Sequence, residues 1–145
     1  MRKAYLKEMP LPPSVNHIYA TSWTSKRRFK SQSYLQYERA VIHWKHMNAE
    51  ALATARELTS KLTEGEAFKI DCIFYFQKSD LISKKKTIKK NDTSNRLKAC
   101  HDVLSEILDV DDRLFWDGTF VKKMIDKEHP GFVDIIISIF EIEGF

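Results

Sequence analysis

FKIDCIFYFQ, residues 68–77, is followed after a lysine-rich gap by NDTSNRLKACHDVLSEILDVDD, residues 91–112. The first stretch alternates, with Ile70, Cys72, Phe74 and Phe76 on one face, and it is rich in aromatic and β-branched residues, which predicts a strand. Ile73 and Tyr75 on the opposite face imply partial cover there too. In the second stretch the period changes. Leu97, Cys100 or His101, Leu104, Ile107 and Leu108 recur at three- and four-residue spacing, which predicts an amphipathic helix over residues 94–108.

Outward from this pair, the same reading gives the remaining elements. Residues 4–9 suit a first strand, ended by Pro10, Pro12 and Pro13, which supply no ladder donors. Residues 11–19 read as an ordered turn and the basic residues 24–30 as a loop. From Ser33 the pattern is helical, with Tyr34, Tyr37, Val41, Trp44, Ala51 and Leu52 compatible with one face of a helix reaching about Leu62. Gly65 marks its end. Residues 115–126 and 133–141 read as strands, with Asp117-Gly118 placing a tight turn or bulge inside the first. The order β, α, β, α, β, β is that of a mixed α/β (α+β) domain, a small mixed sheet packed with two main helices.

The chain has 145 residues, 43% of them hydrophobic and 12% aromatic, which suits one domain spanning residues 1–145 with a buried core rather than a disordered chain. Gly and Pro number only four each, against a turn-rich sandwich. Cys72 and Cys100 lie in apolar patterns without metal-ligand spacing and read as free thiols in a reducing compartment. No apolar stretch approaches membrane-spanning length and the N-terminus lacks a signal-peptide core, so a cytoplasmic protein is expected.

The net charge is +4, and its distribution is uneven. Lys26, Arg27, Arg28 and Lys30 form one basic cluster; Lys84, Lys85, Lys86, Lys89 and Lys90 form another. Such runs are usually solvated loops. Beside a carboxylate cluster they also suit phosphate binding. Asp92 can cap the helix, but Thr93, Ser94 and Asn95 can cap it equally well. Ser94, Asn95 and Lys98 can project from one face of the first turns, where Lys98 is either a solvated lysine or a contact for a phosphate. Asp109, Asp111 and Asp112 follow the helix C-terminus. Asp111 and Asp112 can be merely a polar loop after the helix, but carboxylates there oppose the helix dipole, so local stability does not account for their placement. Carboxylates able to hold a hard cation thus stand beside cations able to hold phosphate, which points to metal-dependent chemistry on nucleic acid. His43 and His46 have helical spacing, and His17, His101 and His129 have no obvious mutual spacing. No zinc pattern, glycine-rich phosphate loop or Gly-x-Ser-x-Gly elbow is present.

Several of these residues fall in a familiar order. Pro12-Pro13-Ser14-Val15-Asn16-His17-Ile18-Tyr19 is similar to a Pro-Pro-Ser-x-Asn opening with a following tyrosine. Asp92-Thr93-Ser94-Asn95-Arg96-Leu97-Lys98 looks like Asp-x-Asp-Asn-x-x-Lys. Asp102-Val103-Leu104 resembles Asp-Ala-Leu, and Val110-Asp111-Asp112 resembles a later Asp-Asp pair. In that order and spacing the chain resembles the RusA family of Holliday junction resolvases, phage- and prophage-associated endonucleases that cut four-way DNA junctions in recombination and repair. The resemblance implies a homodimer cleaving phosphodiesters with magnesium, for which manganese can substitute. It assigns Asp92, Lys98 and Asp112 to catalysis, and Asp92, Asp111, Asp112 and Ser94 to the metal. Ser94 departs from the pattern, standing where the second aspartate of Asp-x-Asp usually lies. A hydroxyl can ligate magnesium but brings no charge. Branched-DNA binding with weakened or lost catalysis is therefore the alternative expectation.

A straight helix over residues 94–108 is roughly 20 Å long at 1.5 Å per residue. Asp92 and Asp112 lie beyond its opposite ends, so one protomer does not easily bring both to one cation. Two copies with these helices antiparallel across a two-fold axis would, giving two composite sites per dimer.

Overall fold

In a computed structural model of the chain, the described residues are 2–13, 19–21, 28–90, 93–125 and 129–145, with residues 19–21, 28–30 and 93 described by their backbone. The elements run β1 (Lys3–Pro10), β2 (Tyr19–Thr21), β3 (Arg28–Lys30), α1 (Gln32–Met47), α2 (Ala49–Ser60), β4 (Glu66–Gln77), α3 (Lys78–Leu81), α4 (Thr93–Leu108), a 3₁₀ turn (Asp112–Leu114), β5 (Phe115–Asp117), β6 (Phe120–Ile125) and β7 (Phe132–Glu141). The fold is mixed α+β, as the alternating and helical patterns predict.

β4 is the centre of a five-stranded sheet ordered β1-β7-β4-β5, with β6 also on β4. It pairs antiparallel with β7 and parallel with β5 and β6. A parallel neighbour requires a crossover, and α3 and α4 supply it. Phe68, Ile70, Cys72, Phe74 and Phe76 of β4 bury one face together with Val133, Ile135 and Ile137 of β7 and Ala4, Leu6 and Met9 of β1. Tyr37, Val41 and Trp44 of α1, Leu52 and Ala55 of α2, and Cys100, Leu104, Ile107 and Leu108 of α4 pack onto that face. Cys100, rather than His101, completes the apolar stripe of α4.

On the opposite face, Ile73 and Tyr75 are half-buried. Their cover comes from neighbouring strands: the Tyr75 ring stacks on Phe132 with centroids 4.5 Å apart. Tyr5 and Val121 are exposed.

The structure departs from the pattern reading at three places, and at a fourth, the break expected at Asp117-Gly118, it bears that reading out. The long helix is two helices, because Asn48 (φ −125°, ψ 32°) leaves helical geometry. Its side-chain amide donates to the Trp44 carbonyl at 2.9 Å, so local side-chain bonding competes with the helical ladder. Residues 28–30 are a strand, with Tyr19, Ala20 and Thr21 paired antiparallel to Lys30, Phe29 and Arg28. Backbone pairing overrode the basic composition that suggested a loop. The strand expected over residues 115–126 divides into β5 and β6 around Gly118 and Thr119. The division is built in: Cys72 N–H donates to Thr119 O at 2.9 Å, and Asp71 Oδ1 accepts from both the N–H and the hydroxyl of Thr119. A Cβ on Gly118 would stand 1.9 Å from Ile70 O, so the two backbones approach only because this residue is glycine. Finally, β1 carries a register shift between Leu6 and Met9. Glu8 takes φ 53° and its N–H donates to Asp134 Oδ1 at 2.9 Å, which returns Met9 to the core.

Candidate active site at the ends of the crossover helix

α4 is 16 residues long. At 1.5 Å per residue that is about 24 Å from end to end. Asp92, the residue before it, lies outside the described residues, as do Lys26 and Arg27. Ser94 and Lys98 are exposed on the first turns and Asn95 is half-buried. Among the described residues Lys98 forms no ion pair, so its ammonium is available to a phosphate.

The far end resolves the acidic cluster into separate roles. Asp109 has φ 53°, the left-handed conformation that closes many helices. Val110 N–H reaches back to Ser105 O at 3.1 Å, and the Ser105 hydroxyl donates to Val110 O. Asp111 caps the 3₁₀ turn, Oδ1 accepting from Arg113 N–H at 3.0 Å, and its other oxygen lies 3.5 Å from Arg113 Nε. Asp111 therefore does have a local reason to be where it is, which corrects the expectation that local stability does not account for it. Asp112 differs. It is exposed at the start of the turn, and among the described residues its carboxylate makes no hydrogen bond or ion pair.

His101 is half-buried between the two ends, its ring edge-on to Phe115 at 5.4 Å. Burial lowers its pKa, while the nearby Asp102 and Asp112 carboxylates oppose that shift. Burial thus disfavours the charged imidazole near Asp112. His101 also lines a hollow of about 260 Å³ with Leu97, Trp116, Asp117 and Thr119. Sequence periodicity could not separate this role from a core position, since Cys100 and His101 fit the stripe equally.

Among the described residues, no three His, Cys, Asp or Glu side chains gather into a metal-holding group. One protomer thus does not gather a cation site from the residues described. The chemistry of the available donors nevertheless suits a hard cation, since Asp112 offers a carboxylate and Ser94 a hydroxyl, neither hydrogen-bonded among the described residues.

Basic residues flank this helix. The 84–90 lysine run is not an open loop but a compact turn. Ser83 N–H donates to Thr87 O at 2.8 Å, Lys86 N–H to Ser83 O at 2.9 Å, Lys86 takes φ 61°, and Ile82 bridges to Ile88. Lys84, Lys85 and Lys86 stand exposed at its tip and Lys90 is exposed beyond it. Lys89 is partly committed, with Nζ donating to Ser79 O at 2.7 Å. Arg28 and Lys30 lie on β3, whose connection from β2 carries Lys26 and Arg27.

The profile of the family described as endodeoxyribonuclease RusA matches residues 10–138, most of the chain. The chain belongs to that family, the Holliday junction resolvases, which are hydrolases of DNA and generally depend on a divalent metal. No curated protein matches the chain.

Proposed function

We propose that the protein is a single-domain, homodimeric, cytoplasmic crossover junction endonuclease of phage or prophage recombination, nicking four-way DNA in symmetry-related pairs. The observation that supports this reading is the order of its functional groups: Ser94 and Lys98 are exposed on the first turns of α4, and after its C-terminus stands Asp112, whose carboxylate makes no hydrogen bond or ion pair among the described residues. On this reading Ser94 and Lys98, on the first turns of α4, meet the Asp112 of a second copy running antiparallel, which supplies the missing half.

In each composite site Asp92 and Ser94 of one protomer, with Asp112 and Asp111 of its partner, would hold magnesium or manganese. The cation, when bound, supplies Lewis-acid stabilisation of the phosphate and a more acidic water. Lys98 places a cation against the scissile phosphate and stabilises negative charge as it develops. Lys84, Lys85, Lys86, Lys89 and Lys90, with Lys26, Arg27, Arg28 and Lys30, grip the phosphates of the junction arms and make affinity salt-dependent.

Ser94 favours a second reading, in which the protein binds branched DNA but cuts it slowly, because the hydroxyl contributes no charge to the metal. End-labelled four-way, flap and linear DNA, incubated with and without magnesium, separates the two. Paired symmetrical nicks lost in Asp92→Asn support the endonuclease. Tight junction binding with no cleavage, unrescued by Ser94→Asp, refutes it.

A further inference from the structure

Trp116 is 58% exposed on β5, the short strand that begins where the Asp112–Leu114 turn ends. It lines the hollow of about 260 Å³ beside α4, together with Leu97, His101 and Asp117. The hollow adjoins the candidate site, since Trp116 follows Asp112 by one 3₁₀ turn and His101 lies near the Asp112 carboxylate. Its walls are fixed. The Phe115 ring meets Phe68 and His101 edge-on, with centroids 6.3 and 5.4 Å away. The Gly118 backbone is packed against Ile70, and Asp71 holds both the N–H and the hydroxyl of Thr119.

The lining selects the part of a nucleotide that fits. Asp117 Oδ1 accepts from Gly118 N–H at 2.7 Å, and among the described residues the carboxylate has no ion pair. Neither lysine nor arginine lines the hollow among the described residues, so a phosphate there would meet an uncompensated like charge. A neutral flat ring suits it instead, stacked on the indole and offering N–H groups from its edge to the carboxylate. The volume falls just under the roughly 300–1,000 Å³ of sites for drug-sized ligands, which suits one ring system. DNA offers such a ring only where a base has left its stack.

We infer that the hollow receives one unstacked DNA base, held on Trp116, beside the phosphate bound near Asp112. This use of the hollow rests on the branched-DNA reading of the protein. Bases at a branch point leave their stack at less cost than bases inside a duplex, so the hollow favours branched over linear DNA.

The test measures metal-free binding of wild type, Trp116→Ala and Trp116→Phe to labelled four-way, single-stranded and linear duplex DNA at one salt concentration. Trp116→Ala is expected to weaken binding to the junction and the single strand by about 5- to 150-fold, the range for removing one base–aromatic stack. Duplex binding should change by less than about twofold, because every base there is already stacked. Trp116→Phe should keep part of the affinity. Equal weakening on all three DNAs, or none on any, overturns the inference. A change in the oligomeric state of Trp116→Ala by light scattering also overturns it, placing the indole between protomers. If the alanine variant does not fold, wild type decides: abasic nucleotides at the branch point keep the phosphates but remove the bases, and should weaken junction binding in the same direction. Unchanged affinity there overturns the inference. If wild type binds the junction no better than the duplex, the branched-DNA reading fails, and the single strand still decides whether the hollow takes a base.

Discussion

Mixing two inactive variants should restore cleavage if the sites are shared between protomers. α4 has 16 residues and spans about 24 Å, whereas ligand oxygens sit about 2 Å from magnesium. On the proposed reading, the half site at each end of one helix closes on one ion together with the partner's half. Asp92→Asn and Asp112→Asn homodimers each lose one ligand from both sites and should be inactive. In a mixed dimer, one composite site collects both substitutions and the other collects neither. Free exchange of equal amounts makes about half the dimers mixed, each with one intact site, so about a quarter of wild-type sites return. The assay is nicking of a labelled junction after co-refolding. Single nicks should dominate over paired ones, because each mixed dimer has one working site. No recovery of nicking in verified mixed dimers would refute the shared site, since sites confined to one protomer leave both halves of a mixed dimer dead.

Other perturbations probe the frame and the DNA grip. Gly118→Ala places a Cβ against Ile70 O, forcing β4 and β6 apart and disturbing the Thr119 bonds to Cys72 and Asp71. A loss of about 2–4 kcal/mol is expected in urea unfolding, and a loss under about 0.5 kcal/mol would mean the backbones do not approach this closely. Hydrogen bonds from Arg2 and then Thr63 hold the Glu66 carboxyl down to about 2, below its usual value of 4.5. A depressed carboxylate contributes stability above its unfolded pKa and loses it as pH falls through the folded value. Tm should therefore drop between about pH 4.5 and pH 2, and Glu66→Gln should remove that part of the drop. Lys84→Ala with Lys85→Ala should weaken junction binding without sequence preference and flatten the slope of log K against log salt by about 1.8, if each lysine neutralises one phosphate. An unchanged slope would place the tip of the turn off the DNA.

Much of the fold could be read from period alone. The alternation of residues 68–77 marked a strand, whereas its place at the sheet centre came from pairing with β7 on one edge and β5 and β6 on the other. The stripe of α4 set the face it buries, and Asp117-Gly118 marked the break between β5 and β6. The break at Asn48 was not legible, since one asparagine within a helical pattern looks like any polar-face residue until its amide finds the Trp44 carbonyl. Nor was the β2–β3 pairing, where short strands owe their form to backbone partners rather than to side-chain pattern.

The candidate site divides in the same way. Sequence by itself placed lysine and carboxylates at the ends of one helix, because helix length follows from residue count, and it resembled the right family because motif order is a one-dimensional property. Tertiary structure alone distinguished the aspartates: Asp109 takes the left-handed conformation that closes the helix and Asp111 caps the turn, while the Asp112 carboxylate makes no hydrogen bond or ion pair among the described residues. It alone directed Arg96 inward to Pro12, residues 84 positions apart in the chain. Which polar groups are spent on the fold and which remain for chemistry depends on three-dimensional partners, and periodicity carries no record of those.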